Sequence, residues 1–414
     1  MENRCRMSIR QKMLVFVASI YILSLTNVYF NAFVSVSPIL CPILVICTCL
    51  LLYPLQLFKN KAFIFCLIYV LALFVANFIH GISQVCFSYG NGGITTIFIE
   101  SAFLLPSVAL SAIIIDLNNE QVLRYIGVVS LLSIVSSLFF ILPVMLADAS
   151  VARLYSEVNV ASSTVGADVI AKARFFWNYP MLHAIAMLVP AFFACYKGLT
   201  NQTKAKYYFL LCAAAVIITV IQSSIATIFF YVLFFLLFYI NNTVTKKKLL
   251  LIIFETVLFV VLYFYISDIL MYLIDYFEDS AMSSKFEDFL YMLKGEDDAN
   301  GSVSVRHERH TMALEAFLNN PLLGTKFDVS GHSFILNRLA SVGIMGMIPF
   351  TLFLFFQYKS IKPLFQKSDS FFINWIWLGA IILLYSKGLF GSEGFIMLLV
   401  ITPCIISIKK SYEI

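Results

Sequence analysis

The sequence predicts an all-α, polytopic integral membrane protein with about twelve transmembrane helices and one large extracytoplasmic loop. Of its residues, 61% are hydrophobic and 12% are charged, and the mean hydropathy is +0.91, a composition that excludes a water-soluble globular protein. A bilayer core about 30 Å thick needs roughly 20 apolar residues per helical crossing, and the chain holds many such runs. The crossings are helices because backbone groups in lipid must pair internally.

Short polar segments separate the apolar runs along the whole chain, which we treat as one transmembrane domain over residues 1–414. The predicted crossings are Met13 to Phe30, Pro38 to Leu57, Ala62 to Ile79, Ile94 to Ile115, Val122 to Leu146, Tyr179 to Cys195, Tyr207 to Ile221, Ile225 to Ile240, Leu249 to Ile266, Phe334 to Phe356, Phe371 to Ser386 and Phe395 to Ile408. Two of these come from one uncharged run, from Tyr207 to Ile240. Lysines flank that run on both sides, so both of its ends face the cytoplasm and the chain turns near Gln222.

The positions of the basic residues predict the orientation. Short segments on one side hold most of the 28 lysines and arginines, and such segments face the cytoplasm. Both termini are therefore predicted to be cytoplasmic. The two long loops, residues 147–178 and 267–331, then lie on the outer side.

The nine cysteines form no CxxC pair and no ligand spacing, and most lie within predicted spans, where a thiol acts as a small apolar residue. We therefore predict neither a metal site nor disulfides. The basic N-terminus and the long apolar run that follows it lack a convincing cleavage site, so they predict a retained first helix.

The second outer loop carries basic residues in a helical pattern. A helix is predicted from Arg306 to Leu318, with Arg306, Arg309 and His310 on one face. Met312, Leu314 and Phe317 would supply its apolar contacts, and the Asn319-Asn320-Pro321 sequence would end it. A solvated helix face is an equally good interpretation of the spacing alone.

The first outer loop ends in Arg174-Phe175-Phe176-Trp177-Asn178-Tyr179-Pro180. A guanidinium is always charged and grips phosphate with two parallel hydrogen bonds, so Arg174 suits a lipid pyrophosphate at the headgroup level. The alternative is interfacial anchoring, with Trp177 and Tyr179 as belt aromatics and Arg174 snorkelling beside them.

His332 follows Gly331 at the entrance of the span from Phe334. An imidazole takes up a proton near neutral pH, which suits it to activating a sugar hydroxyl, although a lone histidine there is more often a cap or a packed residue. Glu100 is predicted in the outer leaflet, where it could line a cavity, and Glu255 near the inner surface. Arg338 is predicted to pair or to snorkel.

Three segments together resemble the O-antigen polymerase and ligase group of bacterial membrane glycosyltransferases, the Wzy and WaaL types. They are Arg174 to Pro180, then Arg306 followed by Ala313-Leu314-Glu315-Ala316-Phe317-Leu318-Asn319-Asn320-Pro321-Leu322-Leu323-Gly324, and finally His332-Ser333-Phe334-Ile335-Leu336 leading to Gly343-Ile344-Met345-Gly346. Many relatives have His-Asn where this chain has His332-Ser333. The His-Ser form looks more like the polymerases.

The resemblance implies a metal-independent, inverting glycosyltransferase of the bacterial inner membrane that needs no cofactor. A polyprenyl-pyrophosphate-linked glycan would be the donor and a sugar hydroxyl on another lipid-linked repeat unit the acceptor. Arg174 and Arg306, assisted by Arg309, would bind the departing pyrophosphate, and His332 would orient or deprotonate the hydroxyl. Membrane lipid, a chain-length regulator and a flippase are the implied partners, and nucleic acid is not one.

Three alternatives remain. A ligase would use the same donor with a lipid A core sugar as acceptor. A lipid-phosphate mannosyltransferase expects acidic residues in the first outer loop, but Asn31 to Ser37 contains none. A flippase usually spreads polar residues through its spans, whereas here they collect in two outer loops.

Overall fold

The computed structural model is mostly helical in the residues that it describes, which contain no strand. These are residues 7–34, 40–80, 94–147, 175–199, 203–223, 226–243, 264–276, 302–325, 333–386 and 391–409, with six single positions between 283 and 294. The predicted all-α class is confirmed.

The helices follow the apolar runs of the sequence. They are α1 (Ile9–Thr26), α2 (Val28–Val34), α3 (Leu40–Leu52), α4 (Pro54–Lys59), α5 (Lys61–His80), α6 (Ile94–Leu117), α7 (Glu120–Ala147), α8 (Tyr179–Ala184), α9 (Leu188–Gly198), α10 (Thr203–Gln222), α11 (Ala226–Thr243), α12 (Ser302–Asn319), α13 (Phe334–Ile361), α14 (Ser370–Ser386), α15 (Ser392–Ile396) and α16 (Thr402–Ile408). A 3₁₀ turn, Ile185–Met187, joins α8 to α9, and a π-helical turn, Met397–Ile401, joins α15 to α16. Residues 264–276 are also helical.

Length and composition make the protein a multi-pass membrane protein. Among the described residues, seven helical stretches are long and apolar enough to cross a bilayer, and four shorter apolar helices accompany them. The uncharged run from Tyr207 to Ile240 divides into α10 and α11, with the turn after Gln222. Of the predicted crossing from Leu249 to Ile266, only residues 264–266 belong to the described part of the chain.

The centre of the bundle is formed by the two interrupted helical stretches, α8–α9 and α15–α16. From Pro180 to Gly198, 83% of the most apolar window is buried, and all residues of α16 are buried. Gly127 allows α7 to approach α16 closely, because a Cβ there would lie 2.5 Å from the carbonyl oxygen of Cys404. The remaining long helices surround this pair and expose apolar side chains outward, as lipid-facing helices do.

Basic residues gather at one end of the bundle, which we call the basic end. The Lys61 ammonium lies 5.6 Å from the Phe356 ring centroid, that of Lys197 lies 6.0 Å from the Phe372 centroid, and Lys409 forms an ion pair with Asp369. These contacts bring the start of α5, the end of α9 and the end of α16 to the same side. Three of the segments that were predicted to be cytoplasmic therefore share one end.

The predicted span from Phe334 to Phe356 lies in an apolar helical stretch, but α13 is broken at Gly343. Gly343 has φ +59° and ψ −163°, which no helix contains. The Phe334 and Phe350 ring centroids are 5.4 Å apart, whereas a straight helix would separate these positions by about 24 Å. The first limb, residues 334–342, therefore folds back against the second limb, residues 344–361.

Candidate functional site

The break in α13 is filled by the loop that follows α12, residues 320–325. The Ile344 amide donates to the Pro321 carbonyl at 2.9 Å and the Met345 amide to the Leu322 carbonyl at 3.1 Å. In return the Thr325 amide donates to the Ala340 carbonyl at 2.8 Å. An unbroken helix would have paired Ala340 with Ile344. The loop therefore replaces the hydrogen bonds that the break removes, as buried backbone groups require.

Two glycines make this docking possible. Gly324 and Gly343 both have positive φ, +76° and +59°, which favours glycine over any residue with a Cβ. They also lie face to face, since a Cβ on Gly343 would come within 2.7 Å of the Gly324 amide nitrogen and within 2.5 Å of the Leu322 carbonyl oxygen. The Leu-Leu-Gly and Gly-x-x-Gly parts of the family motif thus hold the backbone together.

Helix α12 packs on the first limb of α13 through small side chains. Ala313 and Ala316 contact Leu336 and Ala340, whereas Met312 and Leu314, predicted to make the apolar contacts, are 40% and 44% exposed. Alanines allow two helices to approach closely, which leucine and methionine do not. The loop after Asn319 lies at the C-terminal end of the first limb, where the Thr325 hydroxyl contacts the carbonyls of both Ala316 and Ala340, so α12 runs parallel to the first limb.

This parallel packing brings the first half of α12 to the start of the first limb. The rings of His310 and Tyr385, the latter near the end of α14, have centroids 6.2 Å apart. Because α14 starts at Ser370, beside the basic end, its last turn lies at the opposite end of the bundle. The basic residues of α12 therefore lie at the end opposite the basic end, where α13 begins directly after His332.

Polar side chains follow one face of the first limb and are buried. Ser333 caps the helix by accepting the Leu336 amide at 3.3 Å, and Asn337 and Ser341 continue the face at a spacing of four residues. The Ser341 hydroxyl donates to the Asn337 carbonyl at 2.8 Å. The burial of this polar face shows that it packs against protein rather than lipid.

Arg338 was predicted to pair or to snorkel, and its burial excludes snorkelling. It is 1% exposed, and its guanidinium lies 5.5 Å from the Phe334 ring centroid. A fully buried guanidinium inside a membrane bundle is costly unless other groups stabilise it. The break at Gly343 explains the burial, because it turns the first limb into the interior of the bundle.

The segment after Arg174 is anchored inside the bundle as well. The buried Trp177 donates its indole Nε1–H to the Thr26 carbonyl at 2.8 Å, and Phe175 packs edge-on against Phe33 at 5.7 Å between ring centroids. The indole is thus engaged by α1 and does not serve as a belt aromatic at the lipid interface. These contacts fix the backbone beside Arg174.

Asn178 joins this segment to the last transmembrane stretch. Its side-chain oxygen accepts the Met181 amide at 3.0 Å and so caps α8, while its Nδ2 donates to Glu393 Oε1 at 2.7 Å. The Ser392 hydroxyl donates to the other carboxylate oxygen at 3.0 Å. Glu393 is 9% exposed and lies in the first turn of α15, where a negative charge is stabilised by the helix dipole.

Glu393 is a buried acidic residue that the sequence analysis missed. It precedes the apolar run from Phe395 by two positions, so it looks like an ordinary loop residue. The available signal was an acidic side chain between two glycines at the outer end of a span. Nothing in the sequence pairs it with Asn178, which is 215 positions away.

A chain of aromatic contacts links this pair to the first limb of α13. Phe334 contacts Phe350 at 5.4 Å, Phe350 contacts Phe353 at 5.9 Å, and Phe353 contacts Phe395 at 6.3 Å, all between ring centroids. Phe334 lies two residues after His332 and Phe395 two residues after Glu393. The same end of the bundle therefore holds the segments that follow Arg174, that contain Arg306 and that follow His332.

The predicted site residues themselves are described to different extents. Arg174 and His332 lie immediately outside the described residues, and Arg306 lies in the first turns of α12 without a described side chain. Arg309 is half-buried on the same helix. Glu100 lies in α6 without a described side chain, and Glu255 lies outside the described residues.

No group of three metal-ligating side chains lies together within the described ranges. Of the chemistry expected at the site, the described side chains include one half-buried arginine, Arg309, and one buried acid, Glu393, that accepts hydrogen bonds from neutral donors. Guanidinium groups bind phosphate oxygens with two hydrogen bonds and stay charged at any physiological pH.

Residues 207–326 match the family model described as O-antigen ligase. The match confirms the resemblance to the O-antigen polymerase and ligase family. It covers α10, α11 and α12 and ends at Lys326, directly after the loop that fills the break in α13. No curated protein matches the chain.

The family match and the apolar helices together support a membrane enzyme of polysaccharide synthesis that is similar to the Wzy and WaaL group. The matched segment includes Arg306 and Arg309 but neither Arg174 nor His332. It ends at the loop that docks on α13, the helix whose first residue is Phe334.

Proposed function

We propose that the protein is a polysaccharide polymerase that extends lipid-linked repeat units of an O-antigen or capsule. The donor would be a glycan linked to a polyprenyl pyrophosphate, and the acceptor a sugar hydroxyl on another lipid-linked repeat unit. The His332-Ser333 sequence, which resembles the polymerase form, favours this acceptor.

In the proposed reaction the acceptor oxygen attacks the anomeric carbon of the donor sugar from the face opposite the pyrophosphate. A new glycosidic bond forms, the bond between that carbon and the pyrophosphate oxygen breaks, and the configuration inverts. His332 takes the hydroxyl proton. Arg174 and Arg306, with Arg309, neutralise the charge that develops on the leaving polyprenyl pyrophosphate, a contribution that grows in a partly dry site.

One observation carries the proposal: the loop after α12 is built into the break of α13 by three backbone hydrogen bonds. This arrangement supports a common site, because it fixes the helix that contains Arg306 against the limb that follows His332. Fixed placement of charged groups is what electrostatic stabilisation of a leaving group requires.

A ligase acting on lipid A core is the second candidate, and the description of the matching family model favours it. Both enzymes would use the same donor and the same groups, so only the acceptor differs. Deleting the gene separates them: loss of a polymerase leaves single repeat units on the core, whereas loss of a ligase leaves the core bare.

The direct test incubates the purified protein with a lipid-linked repeat unit and resolves the products on a gel. We expect a ladder of longer lipid-linked glycans from the wild-type protein and none from His332→Ala, Arg174→Lys or Arg306→Lys. Lysine keeps the charge but loses the planar fork, so the arginine variants test two-point binding of pyrophosphate.

Two matched controls belong to this test. Arg124→Lys changes an exposed arginine at the start of α7, and His307→Ala changes an exposed histidine on α12; both should extend chains at the wild-type rate. Wild-type product length from all three site variants would refute the site assignment.

We further propose that the protein lies in the bacterial inner membrane with the basic end and both termini in the cytoplasm. The site would then face the outer side, where a flippase delivers lipid-linked units and a chain-length regulator would act. A cysteine introduced near Gly295 should react with an impermeant reagent added from outside. Labelling only from the cytoplasm would contradict this orientation.

A further inference from the structure

A groove of about 450 Å³ opens at the basic end, between the end of α13 and the start of α14. It lies far from the candidate site, and the proposed reaction does not use it. Its lining includes three lysines and three aromatic residues: Phe355, Tyr358, Lys359, Lys362, Phe365 and Lys367. No acidic side chain of the described residues lines it.

The nearest acid to the groove is already neutralised. Asp369 follows Lys367 by two positions, but it is 2% exposed and forms an ion pair with Lys409, which is 3% exposed. The three groove lysines are exposed and give the opening a net positive charge. Such a surface attracts an anion, and it does so most strongly at low salt.

One of the groove cations is held in place. The Lys362 ammonium donates to the Tyr358 hydroxyl at 3.1 Å and lies 5.3 Å from the Tyr358 ring centroid. The Tyr358 hydroxyl in turn donates to Asn374 Oδ1 on α14 at 2.8 Å. An ordered cation loses less side-chain entropy when it binds an anion than a free lysine does.

The groove has an apolar part and a cationic part, which follow one another along α13. Phe355, Lys359 and Lys362 follow one another at intervals of four and three residues, so they share one face of the second limb. Phe355 is 54% exposed and lies one turn closer to the middle of the bundle than Lys359. The face is therefore apolar on its membrane side and cationic at its tip.

We propose that this groove binds an anionic phospholipid of the surrounding leaflet, with its phosphate at Lys359, Lys362 and Lys367 and an acyl chain along Phe355. The order of apolar and cationic residues matches an amphiphile with a charged head, and lysine clusters beside transmembrane helices recognise anionic lipid headgroups. A water-soluble phosphate would make no use of the exposed ring.

The test measures lipid binding by the full-length protein in detergent at low salt. The probes are phosphatidylglycerol, phosphatidylcholine and inorganic phosphate, each followed by the thermal unfolding temperature and by native mass spectrometry. The groove variant is Lys359→Gln/Lys362→Gln/Lys367→Gln. The matched control, Lys12→Gln/Lys59→Gln/Lys204→Gln, removes the same charge from exposed positions in α1, α4 and α10.

We expect the wild-type protein to bind phosphatidylglycerol and to unfold at a higher temperature with it, and to respond weakly to phosphatidylcholine. The groove variant should bind phosphatidylglycerol about 100-fold more weakly, since each basic residue near an anionic surface contributes roughly fivefold. The control variant should retain the wild-type affinity. Phe355→Ser should weaken phosphatidylglycerol binding as well.

Equal affinity of the groove and control variants would overturn the proposal. Equal stabilisation by inorganic phosphate and phosphatidylglycerol, unaffected by Phe355→Ser, would assign the groove to a soluble phosphate compound instead. A groove-dependent dimer that forms without lipid would assign it to a second copy of the chain. These outcomes are independent of the proposed function, because none of the variants touches the candidate site.

Discussion

Each end of the bundle buries one carboxylate, but the two carboxylates have different partners. At the basic end, Asp369 pairs with the ammonium group of Lys409. At the site end, Glu393 accepts hydrogen bonds from the neutral groups of Asn178 and Ser392. The charge of Asp369 is thus compensated by a lysine, whereas the hydrogen bonds to Glu393 come from neutral groups.

The interruptions of the helices also differ between the two regions. At the basic end, the 3₁₀ turns Lys362–Leu364 and Lys367–Asp369 connect the second limb of α13 to α14. Elsewhere the interruptions lie within apolar stretches: α13 is broken at Gly343, a 3₁₀ turn follows α8 and a π-helical turn follows α15. Interruptions within a membrane bundle require other groups to pair the freed backbone atoms.

The largest stability effect is expected at the basic end. Lys409→Met leaves Asp369 buried without a cation and should lower the free energy of unfolding by about 3–5 kcal/mol. The double variant Lys409→Met/Asp369→Leu should recover much of this loss, since two apolar residues leave no charge unpaired. Thermal unfolding in detergent measures both.

Chain extension per folded molecule should stay at the wild-type level in that double variant. If the double variant folds well but makes no polymer, the basic end takes part in the reaction and the contrast between the ends is wrong.

The break in α13 gives the next largest effect. Gly343→Ala forces a side chain into the left-handed region, which costs roughly 1–2 kcal/mol, and its Cβ would meet the Leu322 carbonyl. We expect a lower unfolding temperature and loss of chain extension, because the loop after α12 can no longer dock.

Thr351→Ala, at an exposed position of the second limb, is the control and should change neither quantity. A fully active Gly343→Ala protein would show that the docked loop is dispensable.

The pair Asn178 and Glu393 sharpens the comparison, because two substitutions can move the carboxylate from one side chain to the other. Asn178→Asp keeps the helix cap but places two carboxylates at hydrogen-bond distance, so it should destabilise the protein by about 1–3 kcal/mol. Adding Glu393→Gln should restore stability, because the new amide can donate to the aspartate.

Both stability and chain extension should be measured over this double-mutant cycle. Restored stability with activity still lost would show that the charge of Glu393 serves the reaction. Additive losses in stability would instead exclude a direct contact between the two side chains.

The smallest effect is expected for Trp177→Phe. This change keeps most of the packing and removes one hydrogen bond to the Thr26 carbonyl, so it should cost about 1 kcal/mol. Trp375→Phe at the basic end serves as the matched comparison. A drop in chain extension for the first variant alone would show that the backbone after Arg174 is placed by this bond.

Much of the fold follows from the sequence by simple physics. Apolar runs and flanking lysines predicted most of the helices, the division between α10 and α11 at Gln222, and the helix before Pro321. Burial in lipid requires apolar length, and such lengths are visible in one chain without knowledge of its contacts.

The break in α13 could not be predicted in the same way. Gly343 and Gly346 lie within an apolar run that satisfies the length rule, and glycines are common in transmembrane helices. Its positive φ depends on the Leu322 and Gly324 backbone docking against it, which is a tertiary effect. The burial of Arg338 follows from the same fold-back and was missed for the same reason.

Residue chemistry and family resemblance predicted the candidate site residues. They did not predict the residues that hold the neighbouring segments in place. Arg174, Arg306 and His332 carry recognisable chemistry, whereas Glu393 and Trp177 act through contacts with distant segments. An aromatic residue before a span looks like an interfacial anchor, and only the packing of α1 against that segment shows otherwise.

The central claim is that Arg174, Arg306 and His332 surround one diphosphate at the end opposite the lysines. An electron cryomicroscopy map of the protein with a bound lipid-pyrophosphate donor tests it most directly. We predict density for the diphosphate between the two guanidinium groups, with the His332 imidazole facing the sugar. A diphosphate bound elsewhere, or three side chains in separate cavities, would contradict the account.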